Sequence, residues 1–520
     1  MDCLSRYKAM REAAGTGRQD VGSPRLFCFS AFVGTANVVV KKSMPQGRIH
    51  IGLVDSDLLA GGTRHPNLAL LKIAGFLRDN NFVLNGWNKG EILSYDLVTT
   101  DSQIDWLDDY DRVYVSRVFS FTVLDELPLI QWAKSNKLYD KKVQIGGTGS
   151  YANLSIEEGF DKKRCEDMNR LEVDEFMQQY ISKKNGTKGI DMRTQMPDYH
   201  LYDDYVDTMI AAGKSETYFK DYKKYSIGFL TRGCFRKCPF CVNKLEKKAM
   251  KYSSIDDFLD NELDDNGKLV RPFIYLWDDN FLASPNWEEM LLDLISRKRP
   301  FQFRQGLDER LLAQSPKGER MAELLAKANY HGDYIFAFDN WHDRKLITKA
   351  LKIWKYYCPK KETKFYLFCG FHQTSTDDKL FQQDIAQVFM RIKVLMSYGC
   401  LGYIMRHEDY KKAPIPNLYV QIARWCNQPG FYRNMSFWDF CYKNQTFWEK
   451  QNLGIPDPGQ KTYEEFLDDY KNGYYSDKKI CLPLKTFKDF IDQHKEHEKL
   501  FLSFFTMKKK NIENPTLWHR

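Results

Sequence analysis

From residue 225 onward the chain repeats one pattern: a short apolar run, a loop, an amphipathic stretch, then another apolar run. The runs are YSIGFL (225–230), FIYLWD (273–278), FQFRQ (301–305), YIFAFD (334–339), KFYLFCG (364–370) and LGYIMR (401–406). After the first gap their starts lie about thirty residues apart, the spacing of strand–helix units. NWEEMLLDLISRK (286–298) and ERMAELLAKAN (319–329) fall between them with apolar residues at helical intervals. Strands alternating with helices predict a parallel sheet. Six such units predict a partial barrel, with its functional groups on loops at the carboxyl ends of the strands.

A second α/β pattern precedes this one. RIHIGLVD (48–55), DRVYVSRVFS (111–120) and KKVQIGG (141–147) read as strands, and NLALLKIAGFLRDN (67–80) and LDELPLIQWAKSN (124–136) as helices. The expected fold is therefore a Rossmann-like parallel-sheet domain, then the partial (β/α)6 barrel, then a helical C-terminal region. A ligand of the first domain would sit at the carboxyl edge of its sheet. That edge carries Asp55, Asp57, Gly61, Gly62, Arg64 and His65 in one loop, and Gly146, Gly147, Thr148 and Gly149 in another. The expected boundaries are 1–43, a disordered or non-native extension with Met44 as the working start; 44–150, the first α/β domain; 151–222, a mixed connector, aromatic-rich over 196–213 and assigned no site; 223–410, the barrel; and 411–520, the helical region. Within the last, NLYVQIARWCNQPG (417–430), TYEEFLDDYKNGYY (462–475) and TFKDFIDQHKEHEKLFLSFF (486–505) read as helical pieces.

Composition narrows the function classes. Of 520 residues, 43% are hydrophobic and 15% aromatic, which supports a sizeable core and argues against overall disorder. A net charge of +8 over so long a chain permits an anionic partner without indicating one. The basic run MKKKN (507–511) is too slight to indicate nucleic-acid binding. LFCFSAFVGTANVVV (26–40) is apolar but too short to span a bilayer comfortably. Twelve cysteines without a small-domain framework imply a reducing compartment with most thiols free, so a cytoplasmic location is expected.

Three of those cysteines stand apart. TRGCFRKCPFCVNK (231–244) sets Cys234, Cys238 and Cys241 in the spacing CxxxCxxC, directly after the apolar run 225–230. Thiolates so close together can grip one metal or cluster. Iron–sulfur clusters take four cysteines, yet the nearest others are Cys165 and Cys358. A cube held by three protein ligands keeps one iron open for a substrate or cosubstrate. A zinc knuckle is the plainer alternative, but zinc sites pair two ligand groups and the second pair is missing here.

This spacing resembles the radical S-adenosylmethionine (SAM) superfamily, whose open iron chelates the amino and carboxylate groups of SAM. The resemblance extends in order through RGCxxxCPFC, DDNFLA, QGLDERLL, AFDN, FYLFCGF, YIMRHEDY and IARWCNQP, over residues 48–440. It implies a [4Fe-4S] cluster on Cys234, Cys238 and Cys241, and reductive cleavage of SAM to methionine and a 5′-deoxyadenosyl radical. Phe240 would lie near the adenine, and Asp278 and Asp279 would meet the SAM amine in place of the family's usual GGE-like turn. Gln305 and Arg310 would also position SAM, Arg310 through the carboxylate unless it merely pairs with Asp308 or Glu309, and Asp339 would reach the ribose. An electron donor such as flavodoxin or ferredoxin would be needed, and the substrate stays unnamed. The N-terminal domain resembles the cobalamin-binding domain that precedes many such barrels, in which Gly146, Gly147 and Gly149 would line the nucleotide tail of the cofactor. The cobalt-ligand motif DxHxxG is absent, since DSDLLAGGTRHPN puts its histidine in another place. Cobalamin is thus an open ligand of this domain. Two rival readings remain: a cobalamin-dependent radical SAM methyltransferase, and a non-catalytic metal-binding adaptor.

Overall fold

The structure is a computed structural model. It describes residues 48–86, 90–99, 110–119, 122–137, 142–147, 192–241, 243, 246–455 and 459–518. The expectations for 1–43, for most of the connector before residue 192 and for Gly149 lie outside the described residues. The chain is a mixed α/β protein with parallel sheets and many helices, in two compact units. One unit runs to Asp278 and takes in Arg299–Phe301; the other holds Asp279–Lys298 and Gln302–Arg520.

In the first unit, five parallel strands form a sheet in the order β2-β3-β1-β4-β5. They are β1 (Ile49–Asp55), β2 (Val83–Leu84), β3 (Leu93–Val98), β4 (Arg112–Ser116) and β5 (Val143–Gly146). Alternation along β1 decides its two faces. Ile51 and Leu53 pack with Leu70, Leu71, Ala74 and Leu77 of the helix Leu68–Asp79, while Val54 packs with Val113, Val115, Leu129 and Ile130. Asn67 caps the helix Leu68–Asp79 by accepting from the amides of Ala69 and Leu70. The strand β3 was missed by pattern reading, because Ser94 and Asp96 interrupt its apolar run. Both are buried all the same; Asp96 accepts from the Tyr110 hydroxyl at 3.1 Å and lies 2.7 Å from His50 Nε2.

The described part of the connector packs on this sheet. Tyr199, Leu201, Tyr202, Val206, Phe219 and Tyr222 join the cluster beside Leu70 and Leu71. The connector also approaches the helix Leu68–Asp79 along its backbone: the Asp198 amide donates to Leu71 O at 2.8 Å, and a Cβ on Gly75 would lie 2.0 Å from Met196 O. The next strand, β6 (Tyr225–Gly228), is held to the connector by Tyr199, whose hydroxyl accepts from the Ile227 amide at 2.8 Å and donates to Phe258 O at 2.7 Å.

β6 pairs in parallel with β9 (Phe273–Leu276), and the Ile274 amide donates to the O of Pro300, the residue just before β10 (Phe301–Phe303). Between β6 and β9 lies a short antiparallel pair of two-residue strands, β7 (Thr231–Arg232) and β8 (Met250–Lys251). Gly228 closes β6 against the buried ring of Phe258; a Cβ there would sit 2.3 Å from the ring. Gly228→Ala is therefore expected to lower stability by about 1–3 kcal/mol, the usual penalty for overpacking a tight core, read as a fall in denaturant midpoint at constant m-value.

In the second unit, β11 (Tyr334–Ala337), β12 (Thr363–Cys369) and β13 (Leu401–Arg406) form a parallel sheet, and Leu307 adds a parallel bridge beside Phe336. The helices Arg344–Tyr357 and Asp378–Ser397 connect these strands. C-terminal helices then gather an aromatic core in which Phe505 meets Phe389, Phe437, Phe487 and Phe490. Capping boxes at Ser436–Asp439 and Thr462–Glu465 start two of them. Among the described residues no helix is long and apolar enough to cross a membrane.

Candidate metal centre

The three cysteines lie on one excursion between β7 and β8. Its neck is closed by backbone bonds, with the Cys234 amide donating to Glu246 O at 2.9 Å and the Tyr252 amide to Leu230 O at 2.8 Å. Arg232 pairs with Glu246 at 3.6 Å and lies over the Phe229 ring. Gly233 makes the neck possible: its φ is +94°, and a Cβ would stand 2.1 Å from Lys248 O. Beyond the neck, Cys234, Cys238 and Cys241 are partly exposed and none is in a disulfide. The Arg236 amide donates to Cys234 Sγ at 3.4 Å and the Cys241 amide to Cys238 O at 3.1 Å.

The donor set suits a thiolate-bound cluster in type and number, and Phe240 sits partly buried in the same loop. Among the described residues no three His, Cys, Asp or Glu side chains form a ready metal-binding group. What the fold supplies is the necked loop. The other described cysteines differ in kind. Cys358, Cys369, Cys400, Cys426, Cys441 and Cys481 are buried, and burial pushes their thiols up, to about 11 for Cys400 and about 12 for Cys481, so they stay protonated.

Asp278 anchors the neck from below. Its buried carboxylate accepts from the Thr231 amide and hydroxyl, both at 2.6 Å, and from the Leu230 amide at 3.3 Å. Sequence reasoning gave this carboxylate to the SAM amine; the structure engages it with the strand end that leads into the cysteine loop.

Asp279, Gln305, Arg310 and Asp339 belong to the second unit. Asp279 is partly buried and Gln305 exposed. Arg310 Nε reaches Asp308 at 2.7 Å and Nη1 reaches Asp343 at 3.0 Å, so its guanidinium already has two carboxylate partners, the plainer of the two roles the sequence left open. Asp308 is held in turn by Asn280 Nδ2 at 3.2 Å. Asp339 accepts from the Phe368 amide at 3.2 Å; burial pushes its carboxyl up to about 6 against the pull of Arg391. Arg391, buried, donates to the carbonyls of Phe338 and Asp339. Pattern reading missed Glu309. It is fully buried, accepts from the Ala337 amide at 3.1 Å, and burial raises its carboxyl well above the carboxylate range. An acid between Asp308 and Arg310 reads as a surface charge run, and only the bridge of Leu307 to β11 turns it inward.

At the carboxyl edge of the N-terminal sheet, Gly147 has φ +96°, and a Cβ would stand 2.2 Å from Arg117 O, while Gly146 O accepts from the Arg117 amide at 3.0 Å. Packing of the β4 and β5 ends thus accounts for Gly147; around Gly146 a Cβ would meet nothing within 4 Å. Asp57 accepts from the Val118 amide at 2.7 Å and the Thr122 hydroxyl at 2.5 Å. Asp55 accepts from the Tyr202 hydroxyl at 2.8 Å, and burial pushes its carboxyl up to about 7. An acid whose folded pKa is raised stabilises the fold fully below its unfolded value, and that contribution fades as pH rises through the folded value. Stability is therefore expected to fall between pH 3.8 and about 7. Asp55→Asn should flatten that slope in urea titrations at stepped pH; an unchanged slope would assign it to other groups.

No family model matches the chain, and no curated protein does. Among solved structures, one that matches is that of OxsB, described as a cobalamin-dependent S-adenosylmethionine radical enzyme. It is 14% identical over 86% of this chain, with a TM-score of 0.29, and the chain spans 61% of its length. A likeness at that level says nothing about chemistry, which has to be argued from the residues.

Proposed function

We propose that the chain is a radical SAM enzyme. The observation that carries the reading is the necked excursion after a parallel strand, which presents Cys234, Cys238 and Cys241, partly exposed, from one short loop. These three would hold a [4Fe-4S] cluster, and such a cluster supplies, when bound, one electron to cleave the sulfonium of SAM reductively. The chain's own contribution is to hold the loop. Gly233 and the Cys234–Glu246 backbone bond fix the neck, and Asp278 fixes the strand end beneath it. On this reading the six strand–helix units close as a partial barrel between residues 223 and 410, with Asp279, Gln305, Arg310 and Asp339 on its carboxyl-end loops as candidate SAM contacts. The protein would act in the cytoplasm with flavodoxin or ferredoxin as reductant, on a substrate the sequence does not name.

The test is anaerobic reconstitution with iron and sulfide, then addition of SAM and dithionite. Release of 5′-deoxyadenosine is expected. A protein that takes up zinc stoichiometrically and never cleaves SAM would replace this reading with the metal-binding adaptor.

A further inference from the structure

The parallel sheet of the first unit has its switch point between the adjacent strands β1 and β4, and a ligand of such a sheet enters the crevice beyond those strand ends. Here that crevice is built shut by the chain itself. The Tyr202 hydroxyl donates to Asp55 at 2.8 Å and accepts from the Asn67 amide at 3.1 Å. Asn67 Nδ2 donates to Ser116 Oγ at 2.9 Å, and Ser56 Oγ to Ser116 O at 2.9 Å. Beside them the Tyr222 hydroxyl meets Thr63 Oγ1 at 3.0 Å, and the Tyr202 and Tyr222 rings pack edge to face, 5.2 Å between centroids. Asp55, Ser56, Asn67, Ser116, Tyr202 and Tyr222 are each at most 4% exposed. His65, in the loop before the helix Leu68–Asp79, is paired with Asp221.

The connector that brings in the two tyrosines is itself fastened. Lys72 Nζ donates to Met192 O at 3.2 Å and Arg193 O at 2.6 Å, and the Met196 backbone occupies the space that a Cβ at Gly75 would need. To admit a cofactor tail, the Tyr202 hydroxyl would have to leave, stranding the buried Asp55 carboxyl without that partner. Cobalamin therefore does not fit the described residues of this edge.

We infer that the connector, residues 192–224, is the resident occupant of the switch-point crevice, so that the N-terminal domain carries no corrinoid and serves to seat the strand that feeds the cysteine loop. The same segment delivers Tyr199 to the Ile227 amide and to Phe258 O, so filling the crevice and placing β6 are one act of packing. This inference is independent of the radical reading: SAM cleavage, found or not, leaves it untouched.

The full chain, incubated with excess hydroxocobalamin and desalted, is expected to retain no corrin absorbance. Amide exchange over 55–67 and 199–222 is expected to be the same with and without the corrinoid. Retention near one corrin per chain, or altered exchange in 199–222, overturns the inference. Occupancy itself is read at one amide: Tyr202→Phe should speed exchange of the Asn67 amide by about tenfold, as one buried hydrogen bond is lost. An unchanged Asn67 rate would mean that the tyrosine does not fill the crevice.

Discussion

Cys238→Ala, reconstituted anaerobically beside the wild type, is expected to lose cluster absorbance and to release at least about a hundredfold less 5′-deoxyadenosine. Even outer partners of metal ligands are worth 10- to 100-fold, and a direct ligand should be worth no less. Cys234→Ala and Cys241→Ala should behave alike, because a cube left with two thiolates has lost its hold. The buried thiols supply the control. Cys400→Ala and Cys426→Ala remove fully buried sulfurs that burial keeps protonated, so they should cost stability and leave iron content alone. Cluster loss in Cys400→Ala with retention in Cys238→Ala would reverse the assignment.

The second large effect is expected at Asp278. Alanine there strands the Thr231 amide and hydroxyl and the Leu230 amide, all buried donors. Each unsatisfied group costs about 1–3 kcal/mol, so a loss of about 2–5 kcal/mol is expected once partial relaxation is allowed for. Asp278→Asn keeps one acceptor oxygen and should lose less. The variant also separates two roles for this residue. If Asp278 seats the cysteine loop, stability and bound iron fall together. If it contacts SAM, iron stays bound and the KM for SAM rises at near-normal stability.

Much of the fold was legible because the strands are short apolar runs with regular spacing. β1, β11, β12 and β13 fall within a residue or two of their expected starts. β3 was not, because a strand whose interior carries Ser94 and Asp96 looks like a loop until His50 of β1 and Tyr110, just before β4, arrive beside it. The helix Leu482–Gln493 begins four residues before its expected start, with Pro483 in its first turn, where a missing N–H does no harm. The expected helix 486–505 is broken at His494, which turns to meet Phe490 O and Asp378.

The site was legible in its cysteines and obscure in everything that supports them. CxxxCxxC is a local pattern, and local patterns survive in a linear reading. The employments of Asp278 and Arg310 depend on Thr231, forty-seven positions away, and on Asp343, thirty-three away. Charge in a sequence advertises availability; only tertiary contacts show that a carboxylate is already spoken for. The glycines behaved likewise. Gly147 resembled a cradle for a cofactor, and in the structure its lack of a side chain admits the Arg117 backbone.

Tyr199 carries a practical corollary for anyone dissecting this chain. Its hydroxyl satisfies the Ile227 amide within β6, and its carbonyl accepts from Arg271 at 3.0 Å, while its ring stays in the core of the preceding sheet. A fragment trimmed to start at residue 223 would orphan both groups and uncover an apolar face. A piece bearing the cysteine excursion that keeps these bonds therefore has to include Tyr199 and the sheet it packs on.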